Sequence, residues 1–211
     1  NLIKSNSPTP SVETLSHAFL PFKYVNHSHA SAVLTITNQP NGEIICKDIF
    51  GKRFGIVPYI MPGFDLAKQS IEIYLENPAV QGLILINHGI FTFAHDAETA
   101  YSAMIDSITE IESFINEADR HFFLANDIRV KDVNPSNLAP ILRGVCSELI
   151  KASSPQPDNT HFVTTFRTSN LIKCYVNGPE LERYSQQGVT TPDHVIRTKN
   201  LPLILHIGEN P

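Results

Sequence analysis

Residues 82–106 read GLILINHGIFTFAHDAETAYSAMID, and their pattern decides the fold class. Leu83–Ile86 and Ile90–Phe93 are two apolar runs of strand length, with Asn87-His88-Gly89 as the turn between them. Asp96 then stands as an N-cap before the longest helix. Its Ala97, Ala100, Tyr101, Met104, Ile105, Ile108, Ile111 and Ile115 recur at spacings of three and four, which predicts one core-facing stripe. Strands that lead into such a helix need a layered domain of sheet and helices.

The same reading extends upstream. Ser11 offers an N-cap, Val12–Leu20 reads as a short helix, and Pro21 ends it. Lys23–His29 reads as a strand entering a helix that carries Ala32, Val33, Leu34 and Ile36. Asn41-Gly42 marks a turn, followed by a predicted strand through Ile44, Ile45 and Ile49. Gly51–Pro58 holds a turn and a strand. Asp65 caps a helix with Leu66, Ile71, Tyr74 and Leu75, and Pro78 closes it.

Downstream, Asn134–Ser136 breaks the chain before a helix over Leu138–Ala152, and Ser153–Asn159 reads as a polar linker. His161–Phe166 and Leu171–Val176 are predicted strands. A short helix near Pro179–Gln186, a turn at Gly188–Pro192 and a last strand at Leu201–Ile207 follow. Neither element type dominates, so the prediction is an α/β or α+β layered domain. We treat 1–211 as one domain, with a core at about 10–118 and a C-terminal extension at about 119–211.

Composition narrows the function classes. A hydrophobic fraction of 42% over 211 residues supports a folded core. Net charge is −5 with the two signs interspersed, which gives no basic surface for nucleic acid. No apolar run is long enough to cross a bilayer. Cys46, Cys146 and Cys174 are odd in number and widely spaced, as expected of small core residues in a reducing compartment. The chain opens at Asn1 without a charged-then-apolar leader, and we read it as cytoplasmic and as part of a longer protein.

Histidines carry the chemistry. His27 and His29 stand at i and i+2, so on an extended segment both imidazoles project from one face and reach one ion. A third histidine from elsewhere would leave an open position for water or substrate. His88 sits in the turn where Gly89 allows close backbone approach, either as that ligand or as an exposed turn residue. Glu13 lies in the first turn of a helix, where the dipole alone favours a carboxylate. It also suits an acid/base whose pKa is set by a nearby cation.

Taken together, several segments resemble one family. Pro10-Ser11-Val12-Glu13, His17, His27-Ser28-His29, Val57-Pro58-Tyr59 and Asn87-His88-Gly89 follow the order of the class II aldolase and adducin-head family. PSVETLSHAFLPFKYVNHSHASAVL, VPYIMPGFDLAK and LINHGIFTFAHDAETAYSAMID are similar to the aldolase half of bifunctional rhamnulose-phosphate aldolase/short-chain dehydrogenases. YSQQGVTTPDHVIRTK is similar to the stretch joining the two halves there. The resemblance covers Pro10 to Leu205.

That resemblance implies a three-layer α/β/α domain with a central, mainly antiparallel sheet. It implies that His27, His29 and His88 hold Zn2+ or another divalent metal. It implies that Glu13 moves a proton at the reacting carbon, and that Tyr59 serves the aldehyde oxygen across a subunit boundary in a homo-oligomer, commonly a tetramer. The implied reaction is cleavage of a ketose 1-phosphate, such as L-rhamnulose 1-phosphate, to dihydroxyacetone phosphate and an aldehyde.

Three departures are visible. The Gly- and Asn-containing phosphate loop that relatives carry before the glutamate is not found in Asn1–Thr9. Val12 replaces the second Ser of the usual Pro-Ser-Ser-Glu, which leaves Ser11 as the phosphate-contact candidate. No Gly-x-Gly-x-x-Gly occurs, so a dehydrogenase half is expected to lie outside this chain, fused in the full-length protein. Two rivals remain. One is an epimerase or dehydratase on the same metal platform. The other is a non-catalytic adducin-head-like interaction domain, which is expected to lack an intact ligand set. His17 is expected to be a hydrogen-bonded helix residue. His95, His121, His161 and His206 are expected to be surface or core residues. His194 and Arg197 are either phosphate contacts or part of a docking segment.

Overall fold

A computed structural model describes residues 4, 6–118, 133–153 and 162–207, with the side chains of 150–153 excepted. The described chain divides into two compact units, 1–119 with 189–200, and 120–188 with 201–211.

In the first unit four strands, β1 (Tyr24–Ser28), β2 (Phe54–Val57), β3 (Gly82–Leu85) and β4 (Gly89–Ala94), form one mixed sheet in the order β1-β4-β3-β2. β4 runs antiparallel to both β1 and β3, while β3 runs parallel to β2. A parallel pair needs a crossover, and α4 (Phe64–Glu76) supplies it. β3 and β4 are buried at every position, which is why they read as unbroken apolar runs rather than alternating ones.

Two hydrophobic clusters lie on opposite faces of that sheet, because successive strand residues point opposite ways. Ile84 and Ile90 join Val33, Leu34 and Ile36 of α2 (Ser31–Thr37), Cys46 and Phe50 of α3 (Gly42–Phe50), and Met104 and Ile111 of α5 (Ala97–Glu117). Leu83, Leu85, Phe91 and Phe93 join Leu66 and Tyr74 of α4. Helix α1 (Thr14–Phe19) packs on α4. The fold is therefore α/β, with helices on both faces of a central sheet.

Several local expectations hold. Asp96 caps α5 by accepting a hydrogen bond from the Thr99 amide at 2.8 Å. Others need correction. The predicted strand through Ile44, Ile45 and Ile49 is helix α3. Ile-rich composition favoured a strand, but Gly42, Cys46 and Phe50 are buried at a spacing of four, and Glu43 pairs with Lys47 at 2.5 Å one turn apart. The stripe of α5 is narrower than predicted. Ala100, Met104 and Ile111 are buried, whereas Ala97, Tyr101 and Ile105 are exposed.

The second unit holds α6 (Pro135–Ser153), α7 (Asn170–Val176) and α8 (Leu181–Ser185). The predicted strand Leu171–Val176 is α7, which starts where the Ser169 side chain accepts from the Ile172 amide. Neither 162–166 nor 201–207 forms a strand. Positions 154–159 of the expected linker, with His121 and His161, lie outside the described residues. Cys46 is buried as expected, but Cys146 is exposed. A last helix, α9 (Pro192–Arg197), belongs to the first unit. Among the described residues no helix is long and apolar enough to cross a membrane.

Candidate metal centre

Sheet register explains how distant histidines meet. β1 ends at Ser28, which pairs with Ile90 at the start of β4. His27 lies one residue back along that edge strand, and His29 follows the strand's end. On the other side of β4, Leu85 pairs with Gly89, so the three-residue turn Ile86-Asn87-His88 brings His88 to the same corner. Asn87 takes a left-handed conformation, φ 59°, to make that turn. Gly89 is required by crowding. A Cβ there would lie 2.4 Å from the Ser28 carbonyl oxygen and 3.2 Å from atoms of both the His27 and His29 rings.

Glu13 enters from the start of α1. Ser11 shapes that entry, since its hydroxyl accepts from the Glu13 amide at 3.2 Å. Glu13 Oε1 then lies 2.9 Å from His88 Nε2, 3.1 Å from His27 Nε2 and 3.8 Å from His29 Nε2. The four ligand-type atoms all lie within 4.8 Å of one another. His88 is buried and the other three are half-buried. Hydrogen bonds from His27 and then His88 hold the Glu13 carboxyl well below the usual carboxylate range, against the opposing effect of burial.

The donor set fits a cation. His27 Nδ1 faces the Ile90 carbonyl at 3.0 Å, and a carbonyl only accepts, so Nδ1 carries the proton. His29 Nδ1 faces Asp193 Oδ2 at 2.9 Å, and the same argument applies to a carboxylate. Were both rings neutral, neither Nε2 could donate to Glu13, and two lone pairs would face each other at 3.0 Å beside its carboxylate. Such an arrangement needs a proton or a cation at its centre. Two nitrogens each 2.0–2.1 Å from one tetrahedral ion lie about 3.3 Å apart, close to the spacing seen. His27, His29 and His88 would hold the ion, with Glu13 adjoining it.

Other expected residues fall elsewhere. Tyr59 follows β2 on an exposed loop, with 56% of its surface accessible, and no hydrogen bond among the described residues ties it to Glu13 or the histidines. His17 packs edge-on against Phe91 at 5.4 Å, keeps a backbone hydrogen bond with Val25, and has its pKa lowered mainly by burial. His95 lies at the surface against Phe22, and exposed His206 meets Glu182 at 3.2 Å. His194 Nδ1 meets the buried Thr191 hydroxyl at 2.7 Å, which is a contact within its own segment. Arg197 is exposed and lies 3.8 Å from Asp193. Sequence reasoning missed Asp193, although it named His194 and Arg197 of the same stretch. No local signal set it apart, because Asp193 stands at i,i+4 from Arg197, an ordinary spacing for an ion pair on a helix surface.

Residues 1–110 match the class II aldolase and adducin N-terminal domain, and residues 134–210 match the class II aldolase second domain. The chain is 34% identical over 210 residues to the uncharacterized oxidoreductase YuxG of Bacillus subtilis (strain 168), a match over 100% of this chain and 30% of that protein. It thus spans under a third of that relative's length. Two solved structures are similar. The N-terminal class II aldolase domain of a conserved protein from Thermoplasma acidophilum is 40% identical, with TM-score 0.48 over 53% of this chain and 51% of that one. An aldolase II superfamily protein from Pseudomonas syringae is 15% identical, with TM-score 0.41 over 67% and 63%.

Proposed function

The chain belongs to the class II aldolase and adducin family, and from that premise we propose that it is a metal-dependent aldolase acting on a ketose 1-phosphate, with L-rhamnulose 1-phosphate the first substrate to test. The products would be dihydroxyacetone phosphate and an aldehyde. One observation carries the reading: three imidazole Nε2 atoms and one carboxylate oxygen converge in a corner short of positive charge. An intact set of this kind is not needed by a non-catalytic interaction domain.

A divalent ion held by His27, His29 and His88, zinc by preference for imidazole, would supply Lewis acidity for the negative charge that carbon–carbon cleavage leaves. The protein's own groups handle protons. Glu13 delivers one to the carbon freed by cleavage and removes it in the synthetic direction. Tyr59 exchanges the proton of the hydroxyl that becomes the aldehyde. Ser11, already bonded to the Glu13 amide, is the remaining candidate for a phosphate contact.

Tyr59 and Met61 on the loop after β2, with Phe64 at the start of α4, are three exposed large side chains. We read this loop as the contact that brings Tyr59 to a neighbouring copy's centre in a closed homo-oligomer, with a tetramer expected. The same reading places the chain in the cytoplasm, on its three unpaired cysteines, with an oxidoreductase module fused to it in the full-length protein.

The test is metal analysis of the full chain, followed by an assay for dihydroxyacetone phosphate with ketose 1-phosphates. Stoichiometric metal and product release are expected. A metal-loaded chain that epimerises or dehydrates a sugar phosphate instead would replace the aldolase assignment. A chain that binds no metal would favour the interaction domain. If inactive Glu13→Gln and Tyr59→Phe chains exchange subunits, their mixture should regain activity. No recovery after proven exchange would remove Tyr59 from the neighbouring site.

A further inference from the structure

The three histidines differ in what stands behind them. His27 has the backbone carbonyl of Ile90 on its Nδ1 side. His88 Nδ1 is buried and meets no hydrogen-bond partner among the described residues. His29 alone is backed by a carboxylate, Asp193 Oδ2 at 2.9 Å, from 164 residues further along the chain. The helix that carries Asp193 is held where it is. The Asn38 side chain at the end of α2 donates to the Thr190 carbonyl at 3.0 Å, Thr191 is buried, and its hydroxyl meets His194. Arg197, one turn on, lies 3.8 Å from the other carboxylate oxygen.

We propose that Asp193 is a positioning residue of the metal centre: its carboxylate holds the His29 ring in the Nδ1–H form and aims Nε2 at the ion. This rests on the reading that the histidines bind a metal. The physical argument has two parts. A ring hinged only at Cβ and Cγ turns freely about its last torsion, and a hydrogen bond on the far nitrogen removes that freedom. A carboxylate acceptor also makes the opposite nitrogen more basic than a carbonyl does, so His29 becomes the strongest donor of the three. Loss of such a partner lowers metal affinity about 10- to 100-fold in comparable sites. It follows that residues near the chain's end tune a site whose ligands all precede residue 89.

The experiment uses the full chain and its Asp193→Asn and Asp193→Ala variants. Zinc affinity is measured by competition with a chelator. The tautomer of His29 is read in the metal-free chain from long-range proton–nitrogen NMR correlations, assigned with a His29→Gln variant. In the parent chain His29 should show the Nδ1–H form. Asp193→Ala should lose that preference and bind zinc about 10- to 100-fold more weakly, with Asp193→Asn in between, since its amide oxygen still accepts. Circular dichroism checks that each variant is folded. The proposal is overturned if folded Asp193→Ala keeps the same tautomer and binds zinc within twofold of the parent. A parent chain that binds no zinc sinks the metal reading instead. The tautomer measurement then still decides whether Asp193 orients His29.

Discussion

The two units solve the problem of burying apolar side chains differently. In the first, every buried hydrophobic residue lies between Leu20 and Ile111, packed on both faces of one sheet. In the second, the described residues include no buried hydrophobic side chain, and Ile141 and Val145 on α6 and Leu171 and Tyr175 on α7 stay exposed. A sheet covered on both sides fixes backbone positions over long sequence separations, whereas helices whose described apolar side chains stay exposed do not. The candidate metal corner lies in the first kind of region. Its three histidines come from a strand end and a hairpin turn, with Glu13 beside them at a helix start, and the two clusters hold these elements in register. What matters for the site is therefore less the histidines than the packing behind them.

Glu13→Gln makes the largest test of that contrast. The amide keeps shape but cannot carry the proton, so turnover should fall on the order of 10²–10⁴-fold while metal content persists. Glu148→Gln, the same change on exposed α6, should leave turnover within a few-fold. Retained activity in Glu13→Gln would reduce Glu13 to a carboxylate favoured by the helix dipole.

Core truncation comes next. Ile111 is fully buried, and Ile111→Ala should cost about 2–5 kcal/mol in denaturant unfolding. Val145→Ala on exposed α6 should stay within about 0.5 kcal/mol. Equal costs would mean that the second unit has a core after all.

Gly89→Ala tests the corner itself. The added methyl would stand 2.4 Å from the Ser28 carbonyl oxygen, which is backbone and cannot swing aside. A loss of about 1–3 kcal/mol in thermal unfolding is expected, with weaker zinc binding, because the same methyl crowds the His27 and His29 rings. Unchanged zinc affinity would show that the corner adapts.

The smallest effect concerns the thiols. Burial, and then the nearby Glu43 charge, push the Cys46 thiol from 9.0 up to about 11. At pH 8 only about one part in a thousand is thiolate, so a disulfide reagent should label exposed Cys146 well before Cys46. Since the folded pKa is the higher one, the stability linked to protonated Cys46 is whole below pH 9 and is lost as pH rises through about 11. Labelling Cys146 should leave the melting temperature unchanged. Equal labelling rates would show that the first unit opens readily.

Much of the first unit was legible because its signals are local. The two apolar runs, the turn between them and the Asp96 cap each depend on neighbours within four residues. Helix α3 was misread because its isoleucines were weighed by type rather than by spacing. Helix α7 was misread likewise, although Ser169 stood at its start as a cap. Leu201, Leu203 and Leu205 alternate as a strand would, yet all three are exposed and no described strand lies alongside them. Alternation alone does not supply a partner.

By itself the amino-acid sequence determined which residues are able to bind a metal, the two strands of the hairpin with the turn between them, and where the longest helix begins. Those follow from side-chain chemistry and short-range periodicity. Only the tertiary structure decided that His88 meets His27 and His29, because that depends on β4 pairing with both β1 and β3 across about 60 residues. It also decided that Tyr59 faces outward and that Asp193 stands behind His29. A hydrogen bond between residues 164 apart leaves no periodic trace in the chain, because it exists only once the sheet and α9 are packed.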